Sequence, residues 1–136
     1  MAKTSVRPTM KRTPKRVSAR PARSMEPFAN PKVGRDYEIE ISYPEFTCVC
    51  PMTGQPDFAS LRITYVPGAV CVELKSLRNY LWSYRDAGAF HEAVTNRIAD
   101  DLIRLLHPRW LMVEAEFHTR GGLATTVRVE TGAPEE

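Results

Sequence analysis

Long hydrophobic runs are missing from this sequence. No apolar stretch approaches the roughly 20 residues that a membrane-spanning helix needs, so no span is expected. Cysteine is scarce, with three in 136 residues, and an odd, small number implies no disulfide framework. The three lack any C-x-x-C spacing and have no paired histidines beside them, which weakens a zinc reading. Glycine is sparse as well, and no G-x-G-x-x-G occurs, so a Rossmann dinucleotide fold has no support. The basic start has no apolar core of the kind a secretory signal carries, and a cytoplasmic location is the expectation. Acid is absent from the first 25 positions. Eight of the 19 lysines and arginines precede the first carboxylate, Glu26, so the net charge of +3 combines a basic tail with an acidic body.

What is present is an ordinary globular balance, 43% hydrophobic and 26% charged, in a length that suits one domain. Residues 1–26 are rich in Pro, Ser, Thr and Arg without an apolar periodicity, and read as a disordered basic tail. Such a tail is either a solvated extension or an arm for nucleic acid or a membrane. Its acid-free, Arg- and Ser-rich character also resembles an organelle transit peptide, although its prolines oppose the amphipathic helix that one needs. Residues 27–136 form the expected domain.

Within it, Pro27–Gly34 reads as a linker. Tyr37, Ile39, Ile41 and Tyr43 alternate with Glu38, Glu40 and Ser42, which predicts a half-buried strand ended by Pro44. Leu61, Ile63 and Tyr65 mark a second strand before the Pro67-Gly68 turn, and "AVCVEL" a short one. Leu77, Leu81 and Tyr84 fall at helical spacing, with Gly88 as a C-terminal stop. Phe90, Val94, Ile98, Leu102 and Leu105 form the apolar stripe of a second helix, which Pro108 ends. Leu111, Val113, Ala115 and Phe117 then alternate as a strand, Gly121-Gly122 turns, and "LATTVRVET" closes. The order β-β-α-α-β-β predicts an α+β fold, an antiparallel sheet covered by two helices on one face.

The stretch "FTCVCPMTGQPDFASL" carries the most chemistry. Cys48 and Cys50 would share a face if the strand ran through both. Each has a plain reading as a small buried hydrophobe, as has Cys71. Around Cys50, however, Pro51, Thr53-Gly54 and Pro56 break the strand into a fixed loop. Loops on a rigid scaffold often carry function. A thiol acts as thiolate and needs a neighbour to manage its proton; Asp57 is close enough to do so, or is simply a turn residue. Glu92 suits a helix N-terminus, or accepts hydrogen bonds from a heterocyclic amide; His91 beside it could relay a proton. His107 reads as a helix cap and His118 as a surface strand residue. Lys75 and Arg78 lie three apart on one helical face, solvated or clamping a phosphate.

Taken together, "FTCVCPMTGQPDFA", "VELKSLRNYLWSYR", "FHE", "HPRW" and "TRGG" resemble the NADPH-dependent 7-cyano-7-deazaguanine reductases of queuosine biosynthesis, in their short single-module type. The resemblance runs from about Arg35 to Gly122. It implies the tunnelling fold, assembled into homo-oligomers of pentameric rings with sites at subunit borders, and NADPH as cofactor without a metal. It implies Cys50 as the nucleophile that forms a covalent thioimide and Asp57 as the proton-transfer acid. Val72, Glu73, Leu74, His91 and Glu92 are implied to bind the deazaguanine, and Lys75 and Arg78 to bind NADPH. Cys48 is an extra thiol, a rival or resolving cysteine, and the basic tail lies outside the resemblance. The alternatives are a GTP cyclohydrolase-like pterin enzyme of the same fold, which needs a metal, and a non-catalytic RNA-binding module using the tail.

Overall fold

The computed structural model describes residues 18–132. Eight elements follow one another: β1 (Pro27–Ala29), β2 (Ile39–Val49), β3 (Pro56–Val66), β4 (Val70–Val72), α1 (Leu74–Trp82), α2 (His91–Leu106), β5 (Trp110–Phe117) and β6 (Thr126–Thr131). The long strands form an antiparallel sheet in the order β2-β3-β5-β6, and β1 pairs with β4 apart from it. The expected β-β-α-α-β-β order is therefore the frame of the domain. One sheet face carries Leu61, Ile63, Leu111, Val113, Ala115 and Phe117, all buried against the helices. α2 answers with Val94, Ile98, Leu102 and Leu106, and each fully buried aliphatic side chain contributes about 1.5–3 kcal/mol.

Four expectations change. Pro44 does not end its strand, because β2 runs on to Val49 with a register shift between Tyr43 and Phe46. A residue without an N–H is tolerated there because β2 is an edge strand and the bulge leaves one position unpaired. The extra residue also reverses the parity of the strand: Ile39, Ile41 and Tyr43 face the core before it, Phe46 and Cys48 after it. The expected linker begins with β1, whose Pro27, Phe28 and Ala29 pair with Val72, Cys71 and Val70. Gly88 does not stop α1, which ends at Trp82 with Ser83 as its cap. Phe90 is the N-cap of α2 and half exposed, and Leu106 rather than Leu105 completes the buried stripe.

Of the expected tail, residues 1–17 lie outside the described residues. Residues 18–26 run antiparallel to α1 and are bonded to it rather than standing off the domain. The amide Nδ2 of buried Asn79 donates to the Ser18 carbonyl at 2.5 Å, and the Asn79 carbonyl accepts from Ala22 N at 3.1 Å. Ser76 Oγ accepts from Glu26 N at 2.9 Å, and Glu73 N donates to the Glu26 carbonyl at 2.8 Å. The segment thus gives the Asn79 side-chain amide and the Glu73 N–H their partners.

Candidate active site

β2 stops at Val49, and the connector between the helices fixes its end. Val49 N donates to the Ala87 carbonyl at 2.9 Å, and Ala89 N donates to the Val49 carbonyl at 3.0 Å. Gly88 forms a parallel bridge with Val49 in the same place. Cys50 follows, in a loop closed on itself: Cys50 N donates to the Gln55 carbonyl and Gly54 N to the Cys50 carbonyl, both at 2.8 Å. Gly54 has φ 76°, the left-handed region that favours glycine. Cys48 and Cys50 therefore do not share a strand face.

The two thiols differ in kind. Cys48 is fully buried in the core, and burial, then the charge of Asp57, pushes its thiol up to about 11. Cys50 is partly exposed, and its pKa is lowered, first by a hydrogen bond from the Thr53 side chain and then by the backbone amides of Thr53 and Met52. Burial and Asp57 oppose that shift. Thiolate is the nucleophilic form, so the loop is arranged to supply it. Because the folded pKa is depressed, thiolate reactivity should rise with pH around a midpoint lower than that of an ordinary thiol. Thr53→Val should move that midpoint to higher pH, while Thr53→Ser keeps it. The pH dependence of Cys50 alkylation by iodoacetamide, read by mass, checks this.

Asp57 is not a turn residue. It lies on β3 directly opposite Cys48, with its side chain 7% exposed. Its Oδ1 accepts from Arg120 Nε at 2.8 Å, and its Oδ2 stands 3.3 Å from His91 Nε2. His91 opens α2, and its ring stacks on Phe117 with centroids 3.7 Å apart and planes 3° from parallel. Arg120 also donates through Nη1 to Gln55 Oε1 at 2.7 Å and through Nη2 to the Pro56 carbonyl. One guanidinium thus ties down the far end of the Cys50 loop and aims the carboxylate. Sequence reading left Arg120 out of the site. Its only signal was the "TRGG" stretch, whose Gly121 and Gly122 both have positive φ and fold the β5–β6 hairpin back.

The remaining expected residues fall in two places. Glu92 follows His91 in the exposed first turn of α2, and its carboxylate has no hydrogen-bond partner among the described residues. Val72, Glu73, Leu74, Lys75 and Arg78 sit at the β4–α1 junction and along α1. No hydrogen bond or ion pair joins them to Asp57 or His91 among the described residues. Glu73 caps α1, accepting from Ser76 N at 2.7 Å and Lys75 N at 3.0 Å. Val72 is buried, and Leu74 and Lys75 are exposed. Arg78 lies 5.9 Å from the Trp82 ring and, with Tyr43 and Arg85, lines a groove of about 270 Å³ between α1 and β2. Cations beside aromatic rings are chemistry that fits a nucleotide phosphate and base.

His107 is the left-handed C-cap of α2 at φ 44°, as its place before proline suggested. His118 is exposed just beyond β5, so it is a surface residue but not a strand residue. Among the described residues no three His, Cys, Asp or Glu side chains gather into a metal-ligating cluster. Among the same residues no helix is long and apolar enough to cross a membrane.

Known proteins share these features. The model of the QueF-like protein family matches residues 56–136. The NADPH-dependent 7-cyano-7-deazaguanine reductase of Anaeromyxobacter dehalogenans is 61% identical over 112 residues, 82% of this chain and 92% of that protein. That of Nitrosococcus oceani is 60% identical over 116 residues, 85% and 90% of the two chains. Among solved structures, the apo archaeosine synthase QueF-Like aligns with a TM-score of 0.66 over 72% of this chain and 96% of its own. Its sequence identity is 17%, so that likeness speaks for the α+β tunnelling fold. With Cys50 on its closed loop, Asp57 behind it and relatives of this identity over nearly their full length, the chain belongs to the family of NADPH-dependent 7-cyano-7-deazaguanine reductases.

Proposed function

We propose that this chain reduces the nitrile of 7-cyano-7-deazaguanine to the primary amine through a covalent thioimide on Cys50. The observation that carries the reading is the pairing of a thiol held toward thiolate with a carboxylate shared between His91 and Arg120. Cys50 gives its proton to solvent or to the His91–Asp57 pair and adds as thiolate to the nitrile carbon. One C–S bond forms, one C≡N π bond breaks, and the nitrogen takes a proton relayed through Asp57, which yields the thioimide. NADPH, when bound, supplies hydride to this carbon, first at the thioimide and again after the thiolate has left. Between the two deliveries, the nitrogen lone pair expels the Cys50 thiolate, the C–S bond breaks, and an imine remains. The chain's own residues have two tasks throughout: Cys50 makes the carbon a better hydride acceptor, and Asp57 with His91 returns protons to the nitrogen.

Glu92, whose carboxylate has no hydrogen-bond partner among the described residues, is the carboxylate for the paired N–H donors of the deazaguanine, with His91 beside it. Val72, Glu73 and Leu74 belong to the same substrate site. No bond joins them to Asp57 among the described residues, which fits a neighbouring copy supplying them in the pentameric rings that the family resemblance implies. Lys75 and Arg78 are the cations for the 2′-phosphate of NADPH. The activity would be cytoplasmic.

Mixing the protein with 7-cyano-7-deazaguanine in the absence of NADPH should add the substrate's whole mass to the intact chain. Added NADPH should then be oxidised at two equivalents per amine formed. A chain that gains no mass and oxidises no NADPH would falsify this reading.

A further inference from the structure

A cavity of about 460 Å³, within the range of about 300–1,000 Å³ usual for ligand sites, lies beside the Cys50 loop. Pro51, the residue after Cys50, forms one wall; Gly88, Tyr84 and Phe90 form others. Two guanidiniums line it from unrelated parts of the chain. Arg97 comes from α2, and Arg23 comes from the basic segment whose role neither the sequence nor the family resemblance explains. Arg23 lies over the Tyr84 ring at 4.1 Å, held there by the bonds of residues 18–26 to α1.

Among the described residues Arg23 has no carboxylate partner, and Arg97 has only a shared one. Arg97 reaches Asp101 at 3.5 Å, but Asp101 also accepts from Arg104 at 2.8 Å and from Tyr80 at 2.5 Å. One carboxylate thus serves two arginines and a phenol. The Tyr84 and Tyr80 hydroxyls are hydrogen-bonded at 2.8 Å, and Arg23 meets the face of the Tyr84 ring. The cavity therefore joins cationic groups to a wall of small and aromatic residues. That suits a phosphorylated, planar ligand.

We infer that Arg23 and Arg97 form an anion subsite for the diphosphate of the dinucleotide, which makes the segment at residues 18–26 part of the cofactor site. The inference rests on the proposed reductase reading. A phosphorylated nicotinamide dinucleotide has two anionic centres, and among the described residues cations stand beside aromatic rings at two places: Arg78, with Lys75 three residues before it on α1, and Arg23 with Arg97 beside Pro51. The diphosphate is the centre nearer the reacting nicotinamide. Arg23 and Arg97 share a cavity with Pro51, the residue after Cys50, so this pair takes the diphosphate and leaves the 2′-phosphate to α1.

The test is calorimetric binding of NADP⁺ and NAD⁺ to the full chain and to Arg23→Gln, Arg97→Gln and Arg78→Gln. Arg23→Gln and Arg97→Gln should each weaken both dinucleotides by about tenfold, as loss of one charge-assisted contact does. Arg78→Gln should weaken NADP⁺ alone. Arg23→Lys should recover part of the loss, and thermal unfolding should show every variant folded. Arg97→Gln does not touch the N-terminal segment, so it separates lost charge from a displaced arm. Unchanged binding in both arginine variants, or a loss confined to NADP⁺, overturns the inference. Substrate adduct formation without NADPH should be unaffected in either variant. If the unsubstituted chain forms no adduct, it is the reductase reading that fails instead.

Discussion

Cys50→Ala should abolish both the covalent adduct and NADPH oxidation, with turnover lower by about 10³-fold or more, the size expected when the nucleophile of a covalent mechanism is removed. Cys48→Ala should keep both. The two residues are separated by one valine, yet β2 ends between them. The bulge at Pro44 turns Cys48 into the core, where its thiol is pushed up to about 11. At neutral pH only about one in 10⁴ such thiols is ionised, and no substrate reaches it. Cys50 stands outside the sheet with hydroxyl and amide donors around its sulfur. Cys48 is thus neither a rival nor an accessible resolving thiol. Its loss should appear as stability, about 1–2 kcal/mol for a small cavity in a packed core. Intact-protein mass after mixing with substrate, and a thermal unfolding curve, separate the two effects. An adduct that survives in Cys50→Ala and vanishes in Cys48→Ala would reverse the assignment.

What could be read from the sequence is what local pattern encodes. Alternation at Leu61–Tyr65 and Leu111–Phe117 gave both central strands, because each residue's face is set by its neighbours two away. β1 was hidden because its identity comes from partners across 43 residues, and Pro and Asn gave it the composition of a linker. The bulge was hidden because proline signals a break without saying whether the strand resumes. The site divides in the same way. Cys50 and Asp57 are close in sequence and stood out as a pair. His91 was read as a proton relay beside Glu92 and, by family resemblance, as a ring-binding residue; its contact with Asp57 spans 34 residues and was not legible. Arg120 was missed: it meets Gln55 across 65 residues, and an arginine before a glycine turn looks like any solvated one.

Asp57→Asn is the substitution with the next largest expected effect. Asparagine has nearly the shape of aspartate and can still offer Oδ1 to Arg120, so the loop should hold and the substrate should bind within a few-fold of its normal affinity. It cannot carry a proton between His91 and the substrate nitrogen. Turnover should therefore fall by about 10²–10⁴-fold, the usual contribution of a positioned proton-transfer group. A second consequence has the opposite sign. The negative charge of Asp57 raises the Cys50 pKa, so removing it should shift thiolate formation to lower pH. The variant should thus be alkylated more readily below neutrality while it reduces nitrile far more slowly. Arg120→Met should do neither in that form. It releases Gln55, Pro56 and Asp57 together, so substrate affinity and turnover should decline in step. Measuring alkylation against pH, substrate dissociation constant and kcat on the same variants distinguishes a proton carrier from a strut. If Asp57→Asn loses affinity as steeply as turnover, Asp57 is holding the loop rather than moving a proton.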